Sequence, residues 1–525
     1  MAVVATALAF PASASAAALV PLAPSSSWGS EPIHAASPPG DPRLFVVERG
    51  GAVRIVADGV PVAMPFLTVP NVDTAGERGL LSIVFPPDYT TSGLFYVFTV
   101  AKVADAFGGP GDVRVVEYSR SANPDLADPA SARLVLSRAH SATNHNGGQL
   151  VFGPDGHLYV TIGDNATASN AQDLSNDLGK ILRIDPREQP GGAPFGVPAS
   201  NPFVGVSGAM PEIYALGLRN PYRASFTPGG DLVLPDVGQT TWEEVNLGKA
   251  TGTSAATGLA GANLGWPNCE GFCTPPNPSF ADPVFQYGHG PTPPETTGCA
   301  IIGGHVVRDP ALTGLTGRYL YGDVCREDLR SLDLAMPGAD PRPAGLSLDA
   351  GVPIGFGEDG RGCIYVMAAS TAYRVAPTAS SSAACPATAA GGGGAVGDPA
   401  ATIPPAADSV APRLTLFGAR RQPLRRVVPV FARCDEPCTL RAAGSLALPA
   451  RAATTSAATT AVRRSGDPGE WVQLPVRIRR GHFRWAKRAL RGSLEAIMWV
   501  RVKATDSSGN GSEEGIRIRL RDAAP

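Results

Sequence analysis

Between residues 43 and 375 the chain keeps returning to one pattern: a short apolar run, a polar or glycine corner, and a second run that ends in charge. The stretches are RLFVVERGGAVRIV, GLFYVFTV with GDVRVVEYSR, HLYVTIGD with LGKILRIDP, DLVLPDVGQTTWEEVNL, RYLYGDVCREDLRSL and CIYVMAASTAYRV. Short apolar runs bounded by turn residues read as strands, and two in succession as a hairpin. With 61 Gly and 51 Pro in 525 residues, breakers are too frequent for long helices. Six such hairpins predict an all-β fold, a six-bladed β-propeller over residues 26–376. That architecture spreads its core around a ring and so escapes the size limit on a single core. One β-sandwich with the same number of strands would be unusually large.

Residues 377–410 are rich in Ala, Gly, Pro and Ser and read as a flexible linker. Beyond it, RLTLFGA, VVPVFARC, CTLRAAG, WVQLPVRI, AIMWVRVKATDSSGN and GIRIRLRD alternate in polarity, which predicts a small immunoglobulin-like β-sandwich over 411–525. Residues 411–525 carry 22 Lys+Arg against 9 Asp+Glu, a formal +13, whereas residues 1–410 carry 22 against 37, a formal −15. An acidic large domain is therefore tethered to a basic small one. The densest basic run, RIRRGHFRWAKRALR from Arg477 to Arg491, is expected on the wet side of edge strands, where such charges discourage edge pairing. As a surface it fits an anionic envelope polymer rather than nucleic acid.

The first 25 residues hold an apolar stretch from Ala2 to Phe10 and Ala-x-Ala steps around Ala12, Ala14 and Ala16. They read as a signal-like or disordered N-terminus without a basic leader, and predict a secreted or envelope-associated protein. No later run approaches the roughly 18 apolar residues of a membrane span. Eight cysteines, an even number, imply disulfides in an exported chain. Cys299 and Cys325 flank a hairpin centred near Ala311 to Leu315, so their ends should lie side by side; Cys434 and Cys438 could close a small turn. Zinc is the rival for Cys269-x3-Cys273 and Cys434-x3-Cys438, but these lie in separate regions without histidines at finger-like spacing.

One stretch concentrates chemistry: NHNGGQLVFGPDGHLYVTIGDN, Asn144 to Asn165. The GPDG turn folds its two halves onto neighbouring antiparallel strands and brings His145 to Asp164. A carboxylate beside an imidazole orients the ring, as a general base requires. The same pair is also an ordinary structural hydrogen bond. Arg219 and Asn220 stand at a Pro-terminated corner in YALGLRNPYRASF, and Gly238 and Gln239 occupy another in LPDVGQTTWEEVNL. Arginine can neutralise an anionic ligand, and turn carbonyls can ligate a hard cation such as calcium. Singly, these are a salt bridge and a turn; together with His145 they point to a site.

In order, GERGLLSIVFPPDY, NHNGGQLVFGPDGHLYVTIGDN, LGKILRIDP, YALGLRNPYR, DVGQTTWEEVNL and NLGWPNCEG resemble the soluble quinoprotein sugar dehydrogenases. This is the glucose/sorbosone dehydrogenase family, which includes aldose sugar dehydrogenases and Hedgehog-interacting-protein-like propellers. The resemblance covers residues 40–376 and implies a six-bladed propeller holding pyrroloquinoline quinone (PQQ) and Ca2+ (calcium). It implies oxidation of an aldose sugar to its lactone, with electrons leaving to an external acceptor. His145 would be the base and Asp164 its orienting partner. Arg219 and Asn220 would contact the quinone, Gly238 and Gln239 would offer carbonyls to calcium, and Glu77 would be a polar active-site residue. Where the glucose enzymes carry a Lys and two Arg for the PQQ carboxylates, this chain reads YGDVCREDLRS and DAGVPIGFGEDG. Cys325 stands in the Lys position with Arg326 next to it, and cofactor binding then leans on Arg219 together with either Arg223 or Arg326. LRNPYR and DVGQTTWEE are nearer the Hedgehog-interacting-like branch, so the alternative is a non-catalytic propeller that binds glycan or protein ligands.

Overall fold

The structure is a computed structural model that describes residues 17–24, 27–250, 259–289, 297–337, 342–348, 351–368 and 371–386, then 414–417, 421–424, 426–434, 438–448, 453–455, 459–460, 462–466, 472–490, 496–505 and 510–521. The signal-like segment up to residue 16 and most of the expected linker lie outside the described residues. The chain divides into two compact units, Met1–Ser331 with Pro343–Gly393, and Leu332–Arg342 with Gly394–Pro525. Both are nearly all β.

In the large unit, consecutive strands zigzag into separate sheets. Leu80–Val84, Leu94–Val100, Val113–Arg120 and Ala127–Arg138 make one four-stranded sheet, and Leu150–Phe152, Leu158–Ile162, Lys180–Ile184 and Ile213–Leu216 the next. Ser225–Phe226, Leu232–Asp236, Trp242–Gly248 and Phe285–His289 follow, extended by Thr297–Gly298. Ile301–Val306, Tyr319–Asp323, Asp328–Leu332 and Arg342–Ser347 form another. A nine-stranded sheet joins the two ends of this series. One half starts with Pro32–Ala36, Leu44–Glu48 and Ala52–Ala57, and the other holds Pro353–Glu358, Ile364–Ala368, Thr371–Ala376 and Ala18–Pro21. The halves are joined by a short parallel pairing of Ala35 and Ala36 with Gly357 and Glu358, and Ala35, Leu44 and Val46 share a core with Tyr365, Met367 and Ala372.

Stacked sheets cover both faces of their middle strands, which is why those strands read as unbroken apolar runs. Leu44–Glu48, Leu158–Ile162 and Tyr319–Asp323 are buried at every position. Between sheets the core is aromatic: Phe45 meets Phe66 and Phe85 with ring centroids 4.9 Å apart, and Phe66 meets Phe95 at 5.1 Å. The first strands of successive sheets are tied by polar side chains. Ser82 Oγ donates to Gly148 O at 2.7 Å, and Ser225 Oγ donates to Gly304 O at 2.8 Å.

Two boundaries differ from the sequence expectation. Ala18–Pro21, read as part of the signal-like N-terminus, is a strand antiparallel to Thr371–Ala376, with Ala18 opposite Ala376. The pairing covers an edge that would otherwise expose unpaired N–H and C=O groups. Residues 377–386, read as linker, are held to the unit. Cys385 is bonded to Cys363, and Arg374 Nη1 donates to Ser382 O at 2.6 Å and Ala384 O at 2.8 Å. The other disulfides are Cys269–Cys273, Cys299–Cys325 and Cys434–Cys438, which leaves no free thiol for zinc.

In the small unit, Leu414–Phe417, Val427–Cys434, Val472–Ile478 and Thr459–Thr460 form one sheet. Cys438–Leu448, Ala496–Thr505 and Gly511–Arg521 are the long strands of the second. Val428, Val430 and Val476 of the first sheet share a core with Leu440, Met498 and Ile518 of the second. The basic run expected on edge strands is instead a helix over Arg480–Leu490. Ala486 and Leu490 are buried and Phe483 packs on the core, a spacing of three to four residues that a strand cannot place on one face. Arg480, Arg484, Lys487 and Arg488 are exposed. No helix among the described residues is long and apolar enough to cross a membrane.

Phe45 has no exposed surface and touches two aromatic rings. Phe45→Ala is expected to cost about 3–5 kcal/mol, read as a lower urea midpoint at unchanged slope.

Candidate functional site

The hairpin around GPDG forms as its turn residues require: Gly156 N–H donates to Gly153 O at 2.9 Å, and Leu150 pairs with Val160. His145 precedes the first strand with a left-handed backbone, φ 57°, a region that His enters more readily than most residues with a side chain. Three bonds fix it there. Its N–H donates to Glu77 Oε2 at 2.9 Å, its carbonyl accepts from His140 Nε2 at 2.9 Å, and its ring Nδ1 lies 2.7 Å from Asp164 Oδ1. Close approach makes Gly163 obligatory, because a Cβ there would lie 1.9 Å from His145 O. His145 Nε2 has no partner among the described residues. Burial lowers the pKa of His140 although carbonyls of His145 and Ala142 face its two ring nitrogens.

Asp164 is 1% exposed, and its second oxygen accepts the indole N–H of Trp266 at 2.9 Å. The Asp164 N–H donates to Arg219 O at 2.9 Å. Arg219 and Asn220 point their own N–H groups at Asp236, 2.8 and 2.7 Å away. The Asn220 side chain then bridges the site, with Oδ1 accepting from Gly147 N–H at 3.0 Å and Nδ2 donating to Glu77 Oε2 at 3.2 Å. The Arg219 guanidinium is half-buried 5.8 Å from the Trp266 ring centre. It donates from Nε to Gln239 Oε1 at 2.8 Å and from Nη1 to Val237 O at 3.2 Å, leaving Nη2 without a partner among the described residues.

Gly238 begins a turn in which Gln239, Thr240, Thr241 and Trp242 all aim their N–H groups at Glu270 Oε1, at 2.7, 2.9, 2.9 and 3.2 Å. A side chain at position 238 would meet Trp242 O at 1.9 Å, so only glycine fits. Gly238 N–H donates to Glu243 Oε2 at 3.2 Å, and the other oxygen of Glu243 lies 2.5 Å from His289 Nδ1. A cleft of about 780 Å3 opens beside Glu270, lined in part by Trp242, Phe272 and Phe280; it does not reach His145.

Thus Glu77, His145, Asp164, Arg219, Asn220, Gly238 and Gln239 belong to one hydrogen-bonded network. Arg326 is held differently: it lies on the turn after Tyr319–Asp323, and its guanidinium forks onto Asp328 at 2.8 and 3.1 Å. Cys325 beside it is bonded to Cys299. Sequence reasoning missed Trp266, Glu270 and Asp236. Trp266 and Glu270 sit in NLGWPNCEG, where an acid enclosed by two closely spaced cysteines was the available signal.

Residues 30–335 match the sequence profile of Glucose / Sorbosone dehydrogenase. The chain belongs to this family. Hedgehog-interacting protein of Mus musculus is 30% identical over 353 residues, covering 63% of this chain and 47% of that protein. The aldose sugar dehydrogenase of Escherichia coli (strain K12) is 31% identical over 241 residues, covering 44% and 59%. The chain spans about half the length of the curated relatives it matches. Among solved structures, the PQQ-bound form of aldose sugar dehydrogenase from Streptomyces coelicolor shares the fold at a TM-score of 0.53, with 22% identity over 69% of this chain and 98% of that one.

Asp236 stands opposite Glu244 on neighbouring strands, and burial pushes its carboxyl up to about 7 despite the two N–H groups it accepts. Burial raises Glu244 in the same direction. A carboxyl raised above its unfolded pKa of about 4 holds its proton more tightly in the folded chain, so stability falls as pH rises from about 4 to about 7. Asp236→Asn is expected to flatten that slope, measured as melting temperature against pH for both proteins.

Proposed function

We propose that this chain is an exported PQQ- and calcium-dependent sugar dehydrogenase that oxidises an aldose to its lactone. The observation that carries the reading is His145: one ring nitrogen is committed to Asp164, and the other meets no partner among the described residues. With Asp164 accepting from Nδ1–H, the lone pair falls on Nε2, the tautomer that a general base needs. The four sheets in series and the two halves of the nine-stranded sheet are read as six propeller blades, with the site at the loops of one face.

The chain's own groups fit both cofactors. A tricarboxylate quinone needs a cation with donors to spare and a flat aromatic neighbour, which Arg219 and Trp266 supply, with Asn220 beside them. Calcium needs hard oxygen donors, and the Gly238 and Gln239 carbonyls accept no hydrogen bond from the described residues. When bound, PQQ supplies the two-electron acceptor. His145 Nε2 takes the proton of the sugar hydroxyl. Asp164 holds the ring in its tautomer and stabilises the imidazolium that forms, while Glu77 fixes the backbone beneath it. Electrons then leave to an external acceptor.

The second reading is a non-catalytic propeller for glycan or protein ligands. What favours it is the disulfide at Cys325 and the engagement of Arg326 by Asp328, which leave Arg219 as the cation of the described network. Four disulfides support export, and the paired sheets of the small unit support an immunoglobulin-like sandwich. The exposed cations of helix Arg480–Leu490 would face an anionic envelope polymer.

The test is dye reduction by the purified chain with PQQ, calcium and a panel of aldoses. His145→Asn keeps a residue tolerant of the left-handed backbone and is expected to lower kcat by about 10²–10⁴. PQQ binding should persist, and the fall in kcat should far exceed any loss of folded protein read from the melting curve. Loss of activity only in proportion to lost folded protein would reject His145 as the base, and calcium-dependent PQQ binding without turnover would favour the second reading.

A further inference from the structure

Glu270 has no role in the chemistry above, yet four consecutive N–H groups converge on a single oxygen of its carboxylate. Such a cradle orders the turn in a specific sense. Among the described residues the only cis peptides precede Pro267 and Pro275, so the peptide groups of the turn are trans. In a planar trans peptide the carbonyl points opposite to the N–H that shares its plane. The N–H groups of Gln239 and Thr240 face Glu270, and the carbonyls of Gly238 and Gln239 therefore face away from it. The next carbonyl in line that is engaged is Thr241 O, which accepts from His289 N–H at 2.9 Å.

Glu270 is itself anchored. It lies inside the short Cys269–Cys273 disulfide loop, and the following residue, Gly271, donates its N–H to buried Glu244. Four N–H groups on one of its oxygens give it its grip on the turn. Gln239 passes the order on, since its side chain is the acceptor for Arg219 Nε.

We propose that Glu270 is a positioning residue that holds the Gly238–Trp242 turn with the Gly238 and Gln239 carbonyls turned away from its own carboxylate and free to serve as ligands for a divalent cation of the calcium class. The inference rests on the calcium reading above and adds how the ligands are set. Without the carboxylate, four N–H groups lose their acceptor, and the two carbonyls have to be ordered when the cation binds. Partners that fix metal ligands from behind cost roughly 10–100-fold in metal affinity when removed.

The experiment is calorimetric titration of calcium into the full-length, chelator-treated chain without PQQ or sugar, for wild type, Glu270→Ala and Glu270→Gln. Wild type is expected to bind calcium. Glu270→Ala should bind about 10–100-fold more weakly, and Glu270→Gln, whose amide oxygen still accepts, should recover part of that loss. Melting temperatures in chelator accompany each titration, so that a general loss of fold is separated from a loss specific to calcium. Wild-type binding with equal affinity in both variants overturns the role of Glu270 while leaving the calcium reading in place. No calcium binding by wild type up to millimolar concentration overturns the calcium reading and this proposal with it. If Glu270→Ala does not fold, Glu270→Gln carries the test: a several-fold loss supports the role, and unchanged affinity overturns it.

Discussion

A carboxylate at 1% exposure survives only where each oxygen finds a donor, and Asp164 finds them in the His145 ring and the Trp266 indole. Its own N–H reaches back to the carbonyl of Arg219. One buried side chain and its backbone therefore join the hairpin of the base, the corner that carries the guanidinium and the loop that carries the indole. Each of these would otherwise be a loop end with its own freedom. Hydrogen bonds to a charged acceptor are about twice as strong as neutral ones, which suits a group that has to hold three segments in register.

The same device recurs across the large unit. Asp236 accepts the N–H groups of Arg219 and Asn220, Glu243 those of Gly238 and Ile301, and Asp323 those of Cys299 and Cys325. Glu48 does so for Gly29 and Ser30. Acids at strand ends capture loops through their backbone, so a loop can change its side chains without losing its path. The acidic excess of residues 1–410 is thus partly structural, and it leaves the cation at Arg219 in sharp local contrast to its surroundings.

What could be read from sequence was what is local. His145 and Asp164 flank one hairpin, and GPDG dictates that they meet. Strand after strand was legible because burial on both faces leaves an unbroken apolar run, as in Tyr319–Asp323. Trp266 and Glu270 were not legible, because their partners Asp164 and the Gly238 turn are distant in the chain and only the assembled sheets bring them together. The basic helix was hidden by the alternation in RIRR that precedes it; the apolar spacing of Phe483, Ala486 and Leu490 carries the helical signal. Ala18–Pro21 was hidden in an Ala-rich stretch whose composition gives no strand signal of its own.

That strand gives the large unit a particular order of assembly. Ala18–Pro21 is made before every other strand of the unit, and its partner Thr371–Ala376 only after all the other sheets of the unit. A ribosome releasing the chain in N-to-C order thus releases a strand with nothing to zip onto. The middle sheets can form as they emerge, since their strands are neighbours in sequence. The last seam waits for the longest loop in the unit to close, which makes it a slow, late event. Until then both of its edges remain open templates for other chains, and a helper that shields an exposed strand edge would act at this point of biogenesis.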